Sequence, residues 1–103
     1  MPFVQLTTDL PVPDGLRGRL ADAVRAALGL PDGAVIVQHV SAAAPDAGAV
    51  AVVRGRFREP AAMREAVVRT GALLHRELGI DPDLVFVCWP DPGTAATGGG
   101  ALT

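Results

Sequence analysis

Tyrosine and lysine are absent from this chain of 103 residues, and cysteine and tryptophan occur once each. A lone cysteine, Cys88, excludes an intrachain disulfide and any zinc site built from cysteines. Excess charge is missing too: 9 basic residues against 11 acidic ones leave a formal net charge of -2. That balance removes the electrostatic case for general nucleic-acid binding. No apolar run approaches the roughly 18 residues needed to span a bilayer. No Arg-flanked apolar N-terminus resembles a secretion signal. We therefore expect a cytoplasmic protein with neither nucleic acid nor a membrane as partner. His39 and His75 have no spacing that suggests a shared metal, so no metal ligands are expected.

Apolar residues, by contrast, make up 50% of the chain, too many for a disordered segment. The length fits one small domain with a thin core. We place that domain at residues 1–91 and a Gly-rich tail at 92–103, where Asp91-Pro92-Gly93 and Gly98-Gly99-Gly100 favour turn and coil. At most a short ribbon is expected in the tail.

The chain repeats its own plan. Shifted by fifty positions, Leu28-Gly29-Leu30 falls over Leu78-Gly79-Ile80, and Val35-Ile36-Val37 falls over Val85-Phe86-Val87. Each match runs from a helix end through a Pro and Asp turn into a strand. Before the first match, Leu16, Leu20, Ala23, Ala27 and Leu28 recur at helical spacing, with Asp14 as the expected N-cap and Gly29 as the C-terminal glycine. Before the second, Met63, Val67, Thr70 or Gly71, Leu74 and Leu78 form the stripe, with Pro60 in the first turn and Gly79 after the last. A strand candidate precedes each helix, at Phe3 to Thr7 and at Ala49 to Phe57. The pseudo-repeats at about 2–40 and 49–90 are thus each a β-α-β unit, whose parallel strands need a right-handed crossover. The expected fold is α+β, a two-layer sandwich with a four-stranded mixed sheet and both helices on one face.

That leaves the other face without a cover. Between Ala34 and Val40, Val35 and Val37 point one way while Ile36 and Val40 point the other, and Val85, Phe86 and Val87 are apolar on both sides. A sheet apolar on both faces needs two covers. We expect further copies of the chain to supply the second.

In this order of signals the sequence resembles the tautomerase superfamily, within it the branch of macrophage migration inhibitory factor. The carriers are Met1-Pro2 followed at once by Phe3-Val4-Gln5-Leu6, Pro13-Asp14-Gly15 opening the first helix, Gly29 and Pro31 closing it, and Leu78-Gly79-Ile80-Asp81-Pro82-Asp83 before the last main strand. The resemblance implies a homotrimer with the sheets facing inward. It also implies a cofactor-free reaction in which the proline freed by removal of Met1, here Pro2, is catalytic. A chain-terminal amine has a pKa of about 8; burial and nearby guanidiniums would lower it toward neutrality, where a base moves protons well. The ring also fixes the position of the nitrogen.

Arg54, Arg56 and Arg58 occupy alternate positions after Val50 and Val52, so on a strand they share one face. Guanidiniums bind carboxylates by paired hydrogen bonds and stabilise the negative oxygen of a dienolate; at a strand end they also blunt a sheet edge. Both roles stay open, and Phe57 and Pro60 suggest that the chain is turning there. The family lysine after the first helix corresponds to Leu30, and the tyrosine and asparagine of its last strand correspond to Phe86 and Cys88. The substrate contacts therefore differ. Phe86 and Trp89 join the arginines as candidate binding residues, Trp89 either walling a pocket or sitting in a subunit contact. The expected activity is keto-enol tautomerisation of a small 2-oxo acid, a carboxylate substrate. The alternatives are a hydratase, dehalogenase or decarboxylase that uses protonated Pro2 as an acid, and a trimeric binding protein with an idle pocket.

Overall fold

Alternation of burial along each strand decides which side of the sheet the helices take. In the computed structural model, which describes residues 2–90 and 96–101, β1 (Phe3–Thr7) buries Val4 and Leu6 completely while Phe3, Gln5 and Thr7 stay half-buried. β3 (Ala49–Arg54) repeats the pattern, with Ala49, Ala51 and Val53 inside. Between them in the chain come α1 (Leu16–Leu28) and β2 (Ile36–Val40); after β3 come α2 (Pro60–Leu78) and β4 (Val85–Cys88). Leu16, Leu20 and Val24 of α1 and Ala66, Leu73 and Leu74 of α2 close over Val4, Leu6 and the small residues of β3. The alanines at the centre of β3 leave the helices room to approach the sheet.

The sheet order is β2-β1-β3-β4. β1 pairs with β2 in parallel and β3 with β4 in parallel, while the two halves join antiparallel through β1 and β3. The architecture is the duplicated β-α-β two-layer sandwich expected from the repeat. Gly29 and Gly79 end the two helices at matching positions, with φ of 68° and 67° in the left-handed region that a glycine occupies without strain. The helix layer is also linked at its surface by Arg19 of α1 and Glu77 of α2. The hydrogen bond from Arg19 holds the Glu77 carboxyl below its ordinary range.

Three local expectations shift. Asp14 does not cap α1; Gly15, at φ 81°, occupies the cap position, and no side chain takes part. Val24 rather than Ala23 is the buried residue of the third turn of α1. β3 ends at Arg54 instead of Phe57, for a reason that lies in its partner. Arg54 pairs with Phe3, the first residue of β1, and the residue before Phe3 is a proline, which has no N–H to extend the ladder. In the tail, β5 (Ala96–Thr97) pairs antiparallel with β6 (Gly100–Ala101), a ribbon of two residues a side. The Asp91-Pro92-Gly93 turn lies outside the described residues, as does Met1.

The second face of the sheet carries three rows read across the strands. Ile36, Phe3 and Arg54 form one; Gln38, Gln5, Val52 and Cys88 the next; Val40, Thr7, Val50 and Phe86 the third. No helix of the chain covers them, and Ile36 and Phe86 are 47% and 62% exposed.

Candidate functional site

The site is assembled where three separate segments end together. Because β1 and β3 are antiparallel, the start of one meets the finish of the other. One step beyond the pair of Phe3 and Arg54, Pro2 comes against Gly55. β4 runs parallel to β3, with Cys88 beside Val52, so the following residue, Trp89, arrives at the same end. Pro2 is buried, and its carbonyl accepts a hydrogen bond from the Ile36 N–H at 3.1 Å.

Gly55 holds the three together. A methyl group in place of its hydrogen would stand 3.4 Å from Trp89 Cζ2, 3.5 Å from Pro2 Cα and 3.8 Å from Pro2 Cβ. Those are ordinary contact distances, so Gly55 marks a close approach of backbone to two rings. An isolated glycine within the apolar run from Val50 to Phe57 is the sequence sign of such an approach, although the spacing alone did not single it out.

The arginines divide rather than form a row. Arg54 lies on the uncovered sheet face with Val50 and Val52. Arg56 and Arg58 lie beyond the strand, so the alternate-residue rule does not align them with it. Arg54 and Arg56 are exposed, while Arg58 is half-buried and its Nε is shielded from solvent with no hydrogen-bond partner. Trp89 Nε1 is in the same condition. Two unpaired donors near one end of the sheet are notable, because buried polar groups ordinarily find partners.

A cleft of 660 Å³ opens beside Trp89, between β4 and the first turns of α2. Phe57, Met63, Val67 and Val87 supply apolar walls, and Arg64 brings a guanidinium. Met63 and Val67 were legible as helix-stripe residues; Arg64 was not singled out, since nothing in its spacing separates it from the solvent-facing arginines of the same helix. Pro2 adjoins this region through Gly55 and Trp89 and is not one of the residues lining the cleft.

Phe86 stands apart. It pairs with Val50 on the uncovered face, three residues before Trp89 and so about 10 Å along the strand. Within one chain it is not brought to Pro2. Among the described residues no group of three or more metal-ligating side chains gathers, and no helix is long and apolar enough to cross a membrane.

No family model matches the sequence, and no curated protein matches it. Solved structures do. Macrophage migration inhibitory factor of Toxoplasma gondii superposes with a TM-score of 0.75 at 18% identity, over 96% of this chain and 98% of that one. Pt0534 inactivated by 2-oxo-3-pentynoate gives a TM-score of 0.78 at 18% identity, over 97% and 94% of the two chains. A fused 4-OT, wild type and a symmetric trimer, gives 0.70 at 19% identity, over 97% and 94%. The likeness spans nearly the whole of each chain. This protein has the tautomerase/MIF-like fold.

Proposed function

We propose that the chain is a cofactor-independent tautomerase of small 2-oxo acids, with Pro2 as its base once Met1 has been removed. The secondary amine takes a proton from the carbon next to the substrate carbonyl, and the bonding pair moves onto the carbonyl oxygen. The resulting ammonium then returns the proton to a different atom of the same molecule, so the reaction consumes nothing. Arg54, Arg56 and Arg58 hold the carboxylate and favour the negative oxygen.

The observation that carries this proposal is the placement of Pro2: second in the chain, buried, and adjoining the arginine-bearing segment at Gly55. Burial disfavours the protonated amine and guanidiniums repel it, both of which lower its pKa. A 2-oxo acid as substrate is in keeping with Pt0534, a protein of the same fold that is inactivated by 2-oxo-3-pentynoate. The symmetric trimer of the fused 4-OT, together with the apolar rows of the uncovered face, supports assembly of this chain as a homotrimer. In that assembly Phe86, remote from Pro2 of its own chain, serves the pocket of a neighbouring copy.

The test exploits the absence of lysine. The terminal nitrogen is then the only amine in the mature protein, and an amine-specific acylating reagent modifies that site alone. Acylation turns Pro2 into an amide. It should lower the rate at which 2-oxopentanoate exchanges its C3 hydrogens for deuterium by about 100-fold or more. An acylated protein with undiminished exchange would refute the assignment.

A further inference from the structure

We infer that the indole N–H of Trp89 is a ligand-binding donor, and that it recognises the oxo or enolate oxygen of an organic anion whose carboxylate is held by Arg64. The inference rests on the Proposed function only for the kind of substrate; the binding it describes requires no proton transfer.

Indole offers one donor and no acceptor. At Trp89 that donor is shielded from solvent and has no partner in the fold, so folding strips it of water and returns no hydrogen bond. A phenyl ring would fill much of the same space without the loss. The direction of the N–H edge is also constrained. Cζ2, the atom that stands 3.4 Å from the methyl position of Gly55, and Nε1 are bonded to the same ring carbon. The polar edge of the indole is therefore the one turned toward Gly55 and Pro2.

The cleft supplies the rest of a recognition site. Trp89 and Arg64 both line it, and Met63, Val67 and Val87 make its apolar wall. Few polar groups in an apolar recess is the usual composition of a small-molecule site. One cation and one neutral donor select a ligand with a carboxylate and a second, separate oxygen. A 2-oxo acid presents both; the corresponding simple carboxylic acid presents only the first.

The experiment compares 2-oxopentanoate with pentanoate, which lacks the oxo oxygen, by calorimetric titration of the full-length mature protein. Wild type should bind 2-oxopentanoate about tenfold more tightly. Trp89→Phe should lose that preference while binding pentanoate as wild type does, and Arg64→Gln should weaken both ligands together. Retention of the preference in Trp89→Phe, or no measurable binding of either compound to wild type, would overturn the inference.

A second readout needs no variant. With one tryptophan in the chain, the protein has a single indole ¹⁵N–H resonance, which should shift on adding 2-oxopentanoate and stay in place with pentanoate. An indole resonance that responds equally to both refutes the contact. A Pro2→Ala protein that keeps the binding preference but loses exchange would support Trp89 and Pro2 in separate roles. One that keeps both would support the indole contact while defeating Pro2 as base.

Discussion

The two faces of the sheet are built from the same strands and treated in opposite ways. On one, Val4, Leu6, Ala51 and Val53 are fully buried beneath the helices; on the other, Ile36 and Phe86 stand 47% and 62% exposed. Helix capping, the glycine stops and the hydrophobic stripes all serve the first face. The second carries apolar rows with no cover from its own chain. The lesson is that the chain encodes its fold on one side and its associations on the other, and the candidate site lies at the end of the sheet where Pro2, Gly55 and Trp89 adjoin.

Truncation of a side chain on the covered face should have the largest effect. Leu6→Ala is expected to cost about 2–5 kcal/mol through lost burial and the cavity left behind, measured by denaturant unfolding. A cost as small as that of a surface substitution would erase the distinction between the faces. Adding volume on the covered side should come next. A methyl group at Gly48, just before β3, would fall 2.1 Å from the Leu84 carbonyl oxygen. Gly48→Ala is therefore expected to destabilise by about 1–3 kcal/mol as backbone moves to relieve the overlap, and the same unfolding assay checks it.

On the uncovered face a harsher substitution should leave the single chain almost untouched. Phe86→Glu is expected to preserve the circular dichroism spectrum and to move the sedimenting species from trimer toward single subunits. A variant that still sediments as a trimer would show that this face is not an assembly surface. The smallest effect is expected from the ion pair on the outside of the helix layer. Because Arg19 lowers the folded-state pKa of Glu77, its stabilisation is present above the unfolded glutamate value of about 4.3 and disappears as pH falls through the lower folded value. Glu77→Gln should thus be less stable than wild type at neutral pH and should converge with it in acid. A difference independent of pH would assign the effect to packing.

Much of this division was readable from the sequence because its determinants are local. Leu28-Gly29 and Leu78-Gly79 mark both helix ends, and the spacing of Leu16, Leu20 and Leu74 marks the faces they bury. The alternation around Ile36 and Phe86 already shows a sheet with apolar residues on both sides. The end of β3 was not readable, because it is set across the sheet by a proline with no N–H beside Phe3. Capping by Gly15 instead of Asp14 depends on a positive φ that the Pro-Asp-Gly turn permits without specifying.

At the candidate site, the prominence of Pro2 comes from its position in the chain, and the arginines from their spacing. Arg64 and the orphaned indole N–H of Trp89 could be found only in three dimensions. Arg64 has the pattern of any helix-surface arginine, and an unpaired donor is a property of surroundings rather than of residue type.

The central claim concerns one nitrogen. Of the 9 prolines, only Pro2 in the mature protein carries a nitrogen that titrates, so ¹⁵N-proline labelling followed by NMR across a pH series reads its ionisation directly. The account predicts a midpoint well below the ordinary terminal-amine value of about 8, with Arg56→Gln and Arg58→Gln each raising it. A midpoint at or above that value, unmoved by either substitution, would contradict it.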